Sequence, residues 1–189
     1  MPSVVHLVAA RGGGEDRAAV FERPDGIVVA LADGAGGTGN GAVAAQAIVD
    51  AAEASAGDWC ALLEDLDGRL DGAQATAVIA TIHGRQLTGA SVGDSGAWLV
   101  RDDDIVDLTE HQIRKPLVGG GCEAVAFEAA LDGTLVVGSD GLFRYAKPGD
   151  IARIVRGPDL DVAARELVQL VRLPNGALQD DVSIVLLRA

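Results

Sequence analysis

The sequence predicts an α+β fold built on antiparallel sheet, and three observations carry that prediction. Runs rich in β-branched residues follow one another at hairpin spacing between residues 76 and 108. Helical periodicity shows in two early stretches and at least one late one. The strict strand–helix–strand alternation of a doubly wound parallel sheet is absent. In chain order, strands are expected at residues 4–9, 18–22, 27–32, 76–82, 87–92, 97–101, 105–108, 134–137 and 182–188, about nine in all. Between residues 40 and 56, Val43, Ala44, Ala47, Ile48, Ala51 and Ala52 form an apolar stripe opposite Gln46, Asp50 and Glu53, which predicts an amphipathic helix. A second helix is expected to start at the N-cap Asp58, with Trp59, Leu62, Leu63, Leu66 and Leu70 inward and Glu64, Asp65 and Asp67 outward in solvent. A third spans residues 161–172 with Pro174 beyond it.

Composition narrows the function. The 189 residues, 49% of them hydrophobic, suffice for one domain covering residues 1–189, and no linker or repeat interrupts them. Fifteen basic residues against 28 acidic give a net charge of −13, which repels nucleic-acid phosphates and anionic lipid. No apolar run reaches the roughly 18 residues needed to cross a bilayer, and a signal peptide is lacking, so a cytoplasmic protein is expected. Cys60 and Cys122 stand outside any C-x-x-C or Cys/His pattern and read as inert. The 25 glycines are in excess for a chain of this length and gather beside acids at strand ends.

Those acids are the informative feature. Asp33, Asp94 and Asp140 each leave a strand, whereas Glu15–Asp16 and Asp180–Asp181 each enter one. In antiparallel neighbours the end of one strand lies beside the start of the next, so all five positions can meet at one edge of the sheets. Carboxylates crowded into a partly dry cleft carry large pKa penalties unless hard cations sit among them. An all-oxygen donor set suits Mg²⁺ or Mn²⁺ better than zinc. Taken singly, Asp33–Gly34 and Asp140–Gly141 also read as ordinary turns.

The motifs, in order, resemble those of the metal-dependent type-2C Ser/Thr protein phosphatases, across nearly the whole chain. Arg11-Gly12-Gly13-Gly14-Glu15-Asp16 is similar to the opening motif, in which the Arg grips the substrate phosphate, and Asp33-Gly34-Ala35-Gly36-Gly37 is similar to D-G-x-G-G. Gly93-Asp94-Ser95 resembles G-D-S, Gly138-Ser139-Asp140-Gly141-Leu142 resembles the S-D-G motif, and Asp180-Asp181-Val182-Ser183 resembles the closing D-N-x-T strand. The resemblance implies a sandwich of two antiparallel sheets flanked by helices, in α-β-β-α layers. It also implies two Mn²⁺ or Mg²⁺ ions, Asp33 bridging them and Gly34 offering its carbonyl, with Asp140 and Asp180 as direct ligands. Glu15 and Asp16 would support the second ion, and Asp94 a third, weaker one found in bacterial members. The implied activity of such a compact bacterial member is hydrolysis of phosphoserine or phosphothreonine in proteins, with Arg11 and Asp33 as the catalytic pair. The implied partner is a phosphorylated protein, a Ser/Thr kinase or its target, met by a monomer without nucleic acid or membrane.

The chain departs from the family pattern at several places. Ala35 stands where eukaryotic members often carry a His that is a proposed proton donor, Gly96 replaces an Arg, Asp181 an Asn, and Ser183 a Thr. Only 45 residues separate Asp94 from Asp140, with a short loop at 114–121 where many relatives have a longer flap. His6, His83 and His111 are isolated and read as ordinary strand or loop residues. Three rivals compete. Residues 34–39 satisfy G-x-G-x-x-G between a strand and a helix, which a dinucleotide-binding unit would need. Ser95 within Gly93-Asp94-Ser95 suggests a serine hydrolase but lacks its downstream Asp and His. A catalytically inert relative that binds phosphoproteins would be marked by loss of Asp33, Asp140 or Asp180, all of which are present.

Overall fold

The computed structural model describes residues 2–36 and 40–189, so Gly37 of the D-G-x-G-G motif and Thr38 and Gly39 of the rival glycine motif lie outside the described residues. The element order is β1 (Ser3–Ala9), β2 (Arg17–Arg23), β3 (Gly26–Ala32), α1 (Gly41–Ala54), α2 (Trp59–Asp67), β4 (Ala77–His83), β5 (Gln86–Val92), β6 (Gly96–Val100), β7 (Ile105–Asp107), β8 (Val125–Ala130), β9 (Thr134–Gly138), α3 (Asp140–Phe143), α4 (Pro148–Val155), α5 (Leu160–Leu170) and β10 (Val182–Arg188). The strands form two five-stranded sheets, ordered β1-β10-β9-β6-β7 and β2-β3-β4-β5-β8. Every pairing is antiparallel.

Three apolar layers account for the architecture. Val29, Leu31, Val78 and Leu87 of one sheet meet Leu99, Leu135, Val137 and Val185 of the other in the middle layer. The outer face of the β3-β4 sheet is covered by Ile48 of α1 and Leu63 of α2, and the outer face of the β9-β10 sheet by Ile151 of α4 and Leu167 of α5. The result is the α-β-β-α sandwich. Central strands are apolar on both faces, so β3 is an unbroken run in place of the alternating pattern of a half-wet sheet.

Helix caps match the sequence reading where a side chain sets them. Asp58 accepts from the Ala61 N–H at 3.1 Å, and Asp159 does the same for Val162 at 3.0 Å, moving the start of α5 to Leu160. Three elements are absent from the sequence reading. β8 alternates half-buried and exposed residues at a sheet edge and is built largely of alanine, a poor strand signal. The short α3 and α4 follow Ser139 and Lys147, α4 with Pro148 in its first turn. α2 ends at Asp67, short of Leu70, and Asp67 is half-buried where an outward, solvated side chain was expected.

The topology disposes of two rivals. After α1 and α2 the chain returns as β4, antiparallel to β3, whereas a dinucleotide-binding unit needs a parallel return. Ser95 is fully buried, its Oγ 2.5 Å from Thr76 Oγ1, and is not presented as a nucleophile.

Candidate metal centre

Register brings the acids to one end of the sandwich. Arg17 pairs with Ala32, which sets Asp16 beside Asp33, and Ala77 pairs with Val92, which sets the approach to β4 beside Asp94. In the other sheet Gly138 lies opposite both Gly96 and Ile184, so the end of β9 and the starts of β6 and β10 share that edge. Asp140 opens α3 directly after β9, and Asp180 precedes β10.

The electrostatics confirm the gathering. Burial, then the charge and contact of Asp16, then Asp140 and Asp180, push the Asp33 carboxyl up to about 9. Burial likewise raises Asp16, against the lowering influence of Ser183, Asp33 and Ser139 nearby, and the charge of Asp181 adds to the rise. Asp140 is raised by burial and by Asp180 and Asp94, with Arg144 at 3.5 Å opposing. Asp33, Asp140 and Asp180 are therefore electrostatic neighbours, with Asp94 at the Asp140 side. Asp16 is only 1% exposed, yet neither of its carboxylate oxygens accepts a hydrogen bond. An orphaned buried carboxylate is costly, and an all-oxygen donor set around it fits a hard divalent cation. Among the described residues, no three His, Cys, Asp or Glu side chains are drawn tightly enough together to close a metal shell by themselves.

The backbone around these acids is fixed by hydrogen bonds that the sequence reading does not foresee. Asp181 accepts the N–H of Arg11 at 2.6 Å through one oxygen and that of Glu15 at 2.7 Å through the other. This acid, which enters the last strand and departs from the expected Asn, is thus the clamp on the 11–15 loop, and an Asn there would offer one acceptor oxygen instead of two. Arg17 donates to the carbonyls of Gly14 at 3.1 Å and Asp16 at 2.7 Å and to Gln46 Oε1 at 3.0 Å, tying the same loop to α1. The only sequence signal for Arg17 is its place directly after the acidic pair. Thr76 brackets Asp33, donating its N–H to the Asp33 carbonyl at 2.8 Å and accepting the Asp33 N–H at 3.3 Å.

Two glycines are required by close approach. A Cβ on Gly141 would sit 1.9 Å from the Asp181 carbonyl, and one on Gly34 would sit 2.4 Å from the Gly41 backbone. The Gly34 carbonyl thereby stays beside the start of α1, and Glu15 lies against Gly36 and Gly41. Arg11, exposed, lines an open groove with Gly12 to Gly14, Glu15, Asp180 and Asp181. Of the histidines, His6 lies in β1 and His83 ends β4, while His111 is exposed in a loop. Both cysteines are free thiols held in the neutral form, Cys60 raised by burial and Cys122 pushed up to about 12 by burial and by Asp67.

Comparison with solved structures gives the same architecture. A Ser/Thr phosphatase from S. agalactiae superposes with a TM-score of 0.87 at 20% identity, covering 100% of both chains. Its fold is this fold. Stp1 from Staphylococcus aureus gives 0.85 at 20% identity, covering 100% of this chain and 95% of that one. The catalytic domain of the Ser/Thr protein phosphatase PstP, solved in complex with two manganese ions, gives 0.75 at 21% identity over 100% and 99% of the two chains. The chain has the fold of the bacterial Ser/Thr phosphatases. No protein-family model and no curated protein matches the sequence. The fold expected from the type-2C resemblance is therefore the fold found. No helix among the described residues is long and apolar enough to cross a membrane.

Proposed function

We propose that this chain is a Mn²⁺- or Mg²⁺-dependent phosphatase that hydrolyses phosphoserine or phosphothreonine in proteins. The observation that carries the reading is the buried, donor-free Asp16 carboxylate in contact with Asp33, with Asp140 and Asp180 close enough to raise Asp33 further. Asp33, the Gly34 carbonyl, Asp140 and Asp180 would hold the ions, with Glu15 and Asp16 in support and Asp94 at a third position.

Divalent cations held by these residues would lower the pKa of a bound water and offset the charge of the phosphoryl group. The chain's own residues do the rest. Arg11 presents a permanently charged planar fork at the groove mouth, matched to two phosphate oxygens. Asp181 and Arg17 hold the loop carrying Arg11, Glu15 and Asp16 rigid, so the phosphate and the acids meet in one register. With alanine at position 35, no imidazole at that position delivers a proton to the departing serine or threonine oxygen.

Support from outside the chain is the shared fold with Ser/Thr phosphatases, one of them solved with two manganese ions. The partner we infer is a phosphorylated protein, a Ser/Thr kinase or its target, met by a monomer inside the cell. The deciding experiment measures phosphate release from a panel of phosphoserine and phosphothreonine peptides with Mn²⁺ and with EDTA. Release with Mn²⁺ and none with EDTA is expected. Peptide binding without release under either condition would replace the enzyme with an inert phosphoprotein-binding relative.

A further inference from the structure

Asp67, the last residue of α2, gathers one stretch of backbone far from it in sequence. Its carboxylate accepts N–H groups from Gly119 at 2.7 Å, Gly120 at 3.1 Å, Gly121 at 2.9 and 3.1 Å, and Cys122 at 3.0 Å. Four consecutive N–H groups turned one way form an anion-holding concavity, and here the anion is a side chain of the same protein. Burial draws the Asp67 carboxyl upward, but the donors of Cys122, Gly121 and Gly119 outweigh it and hold the group below the usual carboxylate range.

Residues 113–118, directly before the four residues that Asp67 holds, border the acidic cleft. The Ile113 carbonyl accepts the N–H of Gly93, next to Asp94, at 3.1 Å. Val118 exchanges two hydrogen bonds with Ala75 at 3.1 and 3.2 Å, and Ala75 in turn bridges Gly34. Between those two attachments Arg114, Lys115 and Pro116 are exposed. A small phosphate ester needs only the cleft, whereas a polypeptide continues past its phosphate and has to run along this rim.

We propose that Asp67 is a positioning residue for polypeptide substrates, fixing segment 113–122 along the rim of the carboxylate cleft and so setting substrate engagement without entering the reaction at phosphorus. The proposal rests on the phosphatase reading above. Asp67→Asn keeps the size and removes the charge. Amide hydrogen exchange at residues 119–122 should then quicken by about tenfold, in line with a lost charge-assisted hydrogen bond. KM for a phosphopeptide should rise about three- to tenfold, while kcat on the peptide and kcat/KM on p-nitrophenyl phosphate stay within about twofold of wild type.

Unchanged exchange overturns the anchor. Quickened exchange with an unchanged peptide KM, or with an equal loss on p-nitrophenyl phosphate, overturns the positioning role. The wild-type chain gives a second measurement that requires no folded variant: a non-hydrolysable phosphonate peptide should slow exchange across 113–118, and no change there also overturns the proposal. A wild-type chain that releases no phosphate fails the phosphatase reading and with it the substrate role, whereas the exchange at 119–122 separately decides the anchor.

Discussion

Asp16 is buried and Asp67 half-buried, and the two aspartates end in opposite states. Asp16, at the start of β2, is 1% exposed with no donor on either oxygen, and its carboxyl is raised by burial. Asp67, at the end of α2, receives four successive backbone N–H groups and is held below the usual range. Burial raises both; the donors decide the outcome. A carboxylate whose donors come from its own chain is finished structure. One whose oxygens accept no close hydrogen bond, beside Asp33, suits the cation proposed above.

The sharpest way to break this contrast is Asp33→Asn. Mn²⁺-dependent phosphate release should fall by roughly 100-fold or more, the several kcal/mol that metal assistance contributes. The same substitution should raise the melting temperature measured in EDTA at neutral pH by a few degrees, at about 2–4 °C per kcal/mol for a chain of this size, because Asp33, pushed up to about 9, has to take up a proton on folding and Asn does not. A lower melting temperature would make Asp33 a structural anchor of the Asp67 kind.

A smaller effect is expected at Asp181, which belongs to both classes, lying in the acidic end yet satisfied by Arg11 and Glu15. Asp181→Ala should weaken Mn²⁺ binding about 10- to 100-fold by calorimetric titration, the usual penalty for losing a group that orients ligands. Unchanged affinity would show that the 11–15 loop needs no clamp.

The smallest effect is the pH dependence at Asp67. Its folded pKa lies below the unfolded value of about 3.9, so its stabilisation is present above that value and disappears as pH falls through the lower folded pKa. Urea unfolding of wild type and Asp67→Asn should therefore differ at pH 5 and above and converge as pH drops from about 4. A gap that persists at low pH would locate the effect in packing instead of charge.

Most strands and the three long helices were legible because apolar periodicity and Asp or Gly punctuation are local signals, as with Asp58 capping α2. β8 escaped because an alanine-rich edge strand has little β signature, and α4 because it is only eight residues long. Among the acids, position at strand ends identified Asp16, Asp33, Asp94, Asp140 and Asp180, and antiparallel register does bring them to one end of the sandwich. Asp67 was misjudged as solvated because its donors, 52 to 55 residues away, leave no trace in the helical pattern. Asp181 is legible as an acid entering a strand and as a departure from Asn, but its hold on the 11–15 loop is not, for the same reason.

By itself the sequence determined which residues face inward, where the chain turns, and that its carboxylates recur at the ends of strands. Only the tertiary structure decided which of those carboxylates meet a donor and which meet one another. Periodicity is set by neighbours a few residues apart, whereas the charge state of a buried acid is set by groups that folding brings in from the far side of the chain.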